Sequence, residues 1–366
     1  MRKLMVRTAL ATVLTAGLAT GLAGAAIAES APGYVVPKTA DGRPDLQGFW
    51  NNTSITSLQR PRDVQKLVVD EAEAKRIVNR NMLIVLTKDD EKNNGKDPND
   101  VSALADKNND RGYNAFWIDP GTKMAMVKGE YRTSWITEPA SGRIPYKSDA
   151  ARSGGGYAIT NFDGPETRPL AERCLMSFSG SAGPVMQNGM YNNTFQIVQS
   201  PGAVMILVEM NHDARIIPIV ANAAEAAKKH GAIPKWAGDS VGWYEGDTLV
   251  VETVNVHPLQ RALISSGGKV TERFSRWDDN QVLYQFEVND PELYSQVWRG
   301  EQALNRSPEP LYEYACHEGN YAMPGILGGA RELESKGIKP TMGPGIGAGL
   351  VIPRDGEGGG EGSDGG

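Results

Sequence analysis

Between residues 192 and 306 the chain repeats one pattern: a run of apolar and β-branched residues, a short turn, and another run. TFQIVQS (194–200), AVMILVEM (203–210) and ARIIPIV (214–220) follow one another almost without pause. TLVVETVNV (248–256), VTERFSRW (270–277), QVLYQFEVN (281–289) and LYSQVWRGEQAL (293–304) continue the series. Pro201-Gly202 and the WDDNQV stretch are hairpin turns by composition. In QVLYQFEVN, Val282, Tyr284, Phe286 and Val288 alternate with Leu283, Gln285 and Glu287, the period of a half-buried strand. Seven or more strands joined by hairpin-length turns predict a mainly β fold. The expected form is an antiparallel meander closed into a barrel-like, lipocalin-like sheet, or folded as a sandwich. Closure removes exposed strand edges and is the favoured outcome. No βαβ alternation occurs, so a doubly wound nucleotide-binding fold is not expected.

Helices are peripheral in this reading. Asp70 is placed to cap EAEAKRIVNR (71–80), whose charges fall at helical spacing. NAAEAAKKHG (222–231) predicts a short helix stopped by Gly231, and GILGGARELESKG (325–337) a last one. DGRPDLQGFW (41–50) mixes turn formers with an apolar end and is expected to lie across the body. Short strands are expected in KMAMVKGEYRTSWIT (123–137).

The chain opens with Arg2, Lys3 and Arg7, an apolar run over 9–27, and Ala26-Ile27-Ala28, which fits a small-residue cleavage rule. These predict a signal peptide over 1–28 and a periplasmic or secreted protein. The expected order is then an N-terminal wrapping segment over 29–150, a β-rich core with its C-terminal helix over 151–337, and a disordered Gly/Pro-rich tail over 338–366. ARSGGGYA (151–158) marks the boundary. Roughly 338 residues remain after cleavage, enough for a large core. The net charge of −6 is well mixed and forms no basic stripe, so nucleic acid is not an expected partner. No run in the mature chain reaches membrane-span length, and the oligomeric state is open.

Cys174 and Cys316 are the only cysteines. One disulfide suits an exported chain; two buried thiols are the alternative, and neither cysteine sits in a zinc-type pair.

Chemistry-bearing residues gather in two stretches. EMNHDAR (209–215) places Glu209, His212, Asp213 and Arg215 between two apolar runs. YEYACHEGNY (312–321) places His317 beside Cys316, among Tyr312, Tyr314, Tyr321 and Glu318. A bridge to Cys174 would pin His317 beside Glu172 and Arg173. His212 and His317 are the candidate base and acid, with Asp213 orienting an imidazole and Arg215 stabilising negative charge. Tyr314, Tyr321, Trp243, Glu209 and Glu318 are the candidate binding residues. The plainer alternative for each stretch is a polar turn, stapled in the second case. Trp243, Glu245 and Asp247 are read as a tight turn, His230 as solvent-facing and His257 as a loop residue. No cofactor is expected. His212, His317 and Glu209 or Glu318 could form a two-His, one-carboxylate metal set, but their 105-residue separation lends it no support. Asp106, Asn108 and Asp110 alternate like a calcium loop, but Arg111 stands where glycine is needed. No serine sits in a nucleophile elbow.

The set DGRPDLQGFW, RTSWITEPASGRIPY, DGPETRPLAERCL, YNNTFQIVQSPGAVMILVEMNHDARIIPI, GDSVGWYEGDTLVVET, VTERFSRWDDNQVLYQFEVNDP and YEYACHEGNYAMPGILGGAR resembles a widespread family of secreted or periplasmic bacterial proteins of unassigned activity. The resemblance spans about residues 41–331. It implies export and a single structural unit, and carries no mechanism. The expected function is a periplasmic or secreted enzyme moving protons on a small, fairly apolar molecule by elimination, isomerisation or hydrolysis. The alternative is a non-catalytic β-barrel that binds a hydrophobic small molecule.

Overall fold

A computed structural model describes residues 30–81, 84–85, 119–148, 162–177, 181, 183–260 and 263–340. The segment over 1–28 expected to be a signal peptide, the calcium-like 106–111 stretch, the 151–158 boundary and nearly all of the tail lie outside the described residues.

The body is a ten-stranded, mainly antiparallel sheet that curls into a nearly closed barrel. Nine strands follow one path. β8 (Ala214–Pro218), β7 (Ala203–Val208) and β6 (Thr194–Ser200) form one hairpin meander. β13 (Trp298–Arg306), β12 (Gln281–Asn289), β11 (Lys269–Arg276), β10 (Thr248–Val254) and β9 (Asp239–Glu245) form the other. β1 (Gly48–Asn51) is inserted between β6 and β13 and joins the two halves. β5 (Ile136–Glu138) adds to β13 at its far end.

Thus the apolar end of DGRPDLQGFW does not lie across the body; it is a strand of it. Trp50 from this strand is fully buried, and its indole N–H donates to the Leu46 carbonyl at 2.9 Å. β2 (Val68–Val69), β3 (Met126–Val127) and β4 (Glu130–Arg132) make a separate three-stranded sheet. Helix α1 (Glu71–Arg80) packs beside it through Ala74, with Asp70 accepting from the Glu73 N–H at 2.9 Å as its cap.

The alternation read in the sequence builds the core. Phe195, Ile197, Val204, Ile206, Val208, Phe274, Tyr284, Phe286 and Val288 are all buried in one cluster. The two ends of the sheet approach one another at the seam just past β8, against β9. There the Val220 N–H donates to the Gly242 carbonyl at 2.9 Å, and Ile219 bridges Gly242. Gly242 permits this approach: a Cβ would stand 3.0 Å from side-chain atoms of both Ile217 and Ile219.

The interior is filled by the protein itself. Val185 and Met186 are buried within the cluster. The Met186 N–H donates to the Tyr284 hydroxyl at 2.9 Å, and its carbonyl accepts from Gln302. Asn188 holds the same segment by accepting from the Trp135 indole at 2.8 Å and donating to the Ser54 and Thr56 carbonyls.

Helix α2 (Ala223–Lys229), capped by Asn222, covers Val241, Trp243 and Val250. Trp243 and Glu245 therefore belong to β9, not to a turn; the turn is Gly246-Asp247. His230, expected in solvent, is also corrected. Its side chain is 10% exposed, with Nδ1 3.3 Å from Asp239 and Nε2 3.2 Å from Glu252. After β13 an irregular arm, residues 307–321, leads to α3 (Ala322–Ser335). Among the described residues no helix is long and apolar enough to cross a membrane.

Candidate functional site

The two polar stretches, a hundred residues apart in sequence, meet at one corner of the barrel. The C-terminal arm crosses the β7–β8 turn there. Glu209, 6% exposed, accepts from the Thr194 N–H at 3.1 Å and the Tyr312 N–H at 3.4 Å. His212 Nδ1 lies 3.1 Å from the Tyr314 carbonyl oxygen. A carbonyl only accepts, so Nδ1 carries a proton, and in the neutral ring the lone pair is on Nε2. The arm is then stapled by Cys174–Cys316, with a Cα separation of 5.8 Å. No free thiol remains.

The local backbone is unusual. Asn211 (φ 63°), His212 (φ 43°) and Cys174 (φ 53°) all occupy the left-handed region, which few non-glycine residues adopt. Three such residues at one corner mark a place where the surroundings over-determine the chain.

Asp213 sits beneath this turn. Burial pushes its carboxyl up to about 6, against the hydrogen bonds it accepts from the Ser177 N–H and Asn211 and against the charge of His212. Tyr191 and Tyr314 hydrogen-bond to one another, and burial, reinforced by Tyr314, pushes Tyr191 up to about 12.

The disulfide opens onto a groove of about 320 Å³, lined by Pro165, Glu172, Arg173, Cys174, Leu175, His317, Asn320 and Met323. His317 thus lies beside the Glu172–Cys174 stretch, as a bridge between the two cysteines required. Its imidazole has no hydrogen-bond or ion-pair partner among the described residues. Glu172 is not available to it: the guanidinium of Arg168 holds both carboxylate oxygens, at 2.9 and 3.0 Å. Asn320 is committed as well, accepting from the Ala322 N–H at 3.0 Å and donating to the Cys174 sulfur at 3.3 Å.

Other expected site residues are placed elsewhere. Arg215 is 3% exposed and points into the barrel, where it pairs with Glu272. Burial works against its charge, but Glu272 outweighs this and raises it. Trp243 packs under α2 and donates to Glu245 at 2.8 Å. Tyr321 is 81% exposed, and Glu318 is exposed with no hydrogen bond or ion pair to the His317 imidazole among the described residues. His212 does not line the groove; it holds the arm that forms one wall. Among the described residues no cluster of three His, Cys, Asp or Glu side chains is arranged to hold a metal ion.

Two groups of residues escaped the sequence reading. Leu175 and Met323 line the groove, and nothing in their spacing signals it, whereas the cysteine pairing places Arg173 beside His317. Glu272 and Tyr284 complete the interior network with Arg215. Here a signal existed: Glu272 stands between Val270 and Phe274 on the inward face of β11, a charge at a core position of the alternation.

Comparison with known protein families, curated proteins and solved structures returns no match.

Proposed function

We propose that the protein is a periplasmic or secreted enzyme that moves protons on a small, fairly apolar molecule in the groove beside Cys174–Cys316. One observation carries the reading: the disulfide fixes the backbone beside His317, whose exposed imidazole has no hydrogen-bond or ion-pair partner among the described residues and lies on a groove with Leu175, Met323 and Pro165 as its apolar lining. An acid–base group must be held near its substrate while its ring stays free to gain or lose a proton. His317 meets both conditions. Arg173 stands on the same groove to face charge that develops on the substrate. His212 acts as the tether of the arm through Tyr314. Elimination, isomerisation and hydrolysis all fit groups that only transfer protons.

The test is a panel of small esters, lactones, β-hydroxy carbonyls and enolisable ketones followed by proton NMR in D2O. That readout reports bond cleavage, elimination and C–H exchange together. Conversion by the wild-type protein should be lost in His317→Gln with the melting temperature unchanged. Conversion that survives the substitution removes His317 from the chemistry. Saturable binding with no conversion anywhere in the panel favours the non-catalytic binding protein instead.

A further inference from the structure

The groove carries a charge imbalance that specifies what enters it. Of its ionisable side chains, Glu172 is neutralised by the paired guanidinium of Arg168, whose own flank is covered by the Phe162 ring at 4.6 Å. Arg173 is different. It is half-buried, lines the groove, and has no carboxylate partner among the described residues. A guanidinium kept partly from water and given no internal counter-ion is a receptor for an external one. The rest of the wall is Pro165, Leu175, Met323 and the disulfide, which offer apolar contact and no competing anion. The Asn320 amide is committed to Ala322 and Cys174, so it adds no further polar demand.

We infer that the groove takes small organic anions: a carboxylate set on the Arg173 guanidinium, with a compact apolar body against Leu175, Met323 and the disulfide. This rests on the groove being the working site and adds the charge and size of the substrate. A volume of about 320 Å³ lies at the lower end of ligand pockets, which limits the body to something like a single ring. The carboxylate end at Arg173 would leave the apolar end near His317, where proton transfer is proposed.

The probe is benzoate, with isosteric but uncharged benzamide as the control, titrated into the full oxidised chain. The ring protons of His317 report occupancy by NMR. Benzoate should shift them saturably and benzamide should not. Added salt should weaken benzoate, because the contact is ionic. Arg173→Gln removes a side chain with no hydrogen-bond or ion-pair partner among the described residues, so the fold should be kept. It should weaken benzoate about tenfold or more, the effect of one lost charge-assisted hydrogen bond. His317→Gln, followed by indole fluorescence or calorimetry, should leave benzoate affinity within a few-fold while abolishing conversion. Equal binding of benzamide, unchanged affinity in Arg173→Gln, or no saturable response to benzoate would each overturn the inference, even if a neutral substrate is converted. Benzoate binding that depends on Arg173, without any conversion that depends on His317, sustains the inference and overturns the enzymatic reading alone.

Discussion

Arg215 of β8 and Glu272 of β11 meet inside the barrel as a two-pronged ion pair, with side chains 1% and 0% exposed. The pair spans the seam that the backbone closes only at Gly242. Arg215 also reaches Ser240 at 3.3 Å on β9 and Thr253 at 3.4 Å on β10. Tyr284 donates to Glu272 at 2.7 Å and accepts from Met186, so the network holds the chain segment that fills the interior. Burial drives the Tyr284 hydroxyl well above its usual range, and the Glu272 charge adds to this, which keeps it a donor. Removing one ion leaves the other buried and unpaired, which costs about 3–5 kcal/mol. Glu272→Gln and Arg215→Met should each fall in that range by urea denaturation. The double variant Arg215→Met with Glu272→Gln should lose far less than the sum. Strict additivity would mean that the two charges are not coupled.

The Cys174–Cys316 bridge closes a loop of 142 residues. In the chain-entropy picture such a closure is worth about 5 kcal/mol at most, and strain usually lowers it. The paired Cys174→Ser, Cys316→Ser variant should lose about 2–5 kcal/mol. It should also lose benzoate binding at temperatures where the barrel still folds, because the groove is walled by the stapled arm. Intact binding in that variant would show that contacts other than the bridge hold the arm against the groove.

How far these relationships can be read in advance depends on how local they are. Strand periodicity is local, and each run from Thr194 onward holds a strand, although LYSQVWRGEQAL enters its strand only at Trp298. Asp70 and Asn222 capped their helices because capping needs only the next three residues. β9 escaped because Asp239–Glu245 is buried on both faces under α2, so its alternation is blurred. His230 was misplaced because its shelter comes from Asp239 and Glu252, on two strands that follow it. The meeting of His212 with Tyr314 is a matter of tertiary routing, and no spacing announces it. The value of the two cysteines lay there: they alone tie position 174 to position 316 and therefore bring ERC to His317.

Asp213 predicts an unusual pH response. Its folded pKa of about 6 lies above the ordinary 3.8, so the folded state holds the proton more tightly than the unfolded chain. The stabilisation is present in full below about pH 4 and is lost as pH rises through about 6. At pH 7 the ionised carboxylate is a burden of up to roughly 3 kcal/mol, at about 1.4 kcal/mol per pKa unit. Asp213→Asn keeps an acceptor for the Ser177 N–H without the charge. It should be more stable than the wild type at pH 7, with the gap closing near pH 4. A less stable Asn variant at neutral pH would contradict this.

Gly300 of β13, paired with Ile136 of β5, leaves room for an aromatic ring. A Cβ there would stand 2.1 Å from the Phe286 ring and 2.7 Å from the Trp135 carbonyl, which accepts the Glu301 N–H at 2.9 Å. Neither neighbour can move freely, since Phe286 packs edge-on against buried Trp298. Gly300→Ala should therefore destabilise by about 1–3 kcal/mol or more through overpacking. Adding Phe286→Leu should recover part of the loss. No recovery would place the clash with the Trp135 backbone instead.

His212 separates a tether from a catalyst. Its backbone sits at φ 43°, a region that asparagine tolerates better than alanine. An asparagine amide can also donate to the Tyr314 carbonyl from nearly the position of Nδ1. His212→Asn should therefore keep the arm in place, and His212→Ala should release it. Hydrogen exchange over residues 312–318 reads this directly: protection retained in the first variant, lost in the second. If His212 only tethers, His212→Asn should also keep the conversion that depends on His317. Loss of conversion with full protection of the arm would instead assign its free Nε2 a part in the chemistry, because the asparagine replaces the donor and not the base.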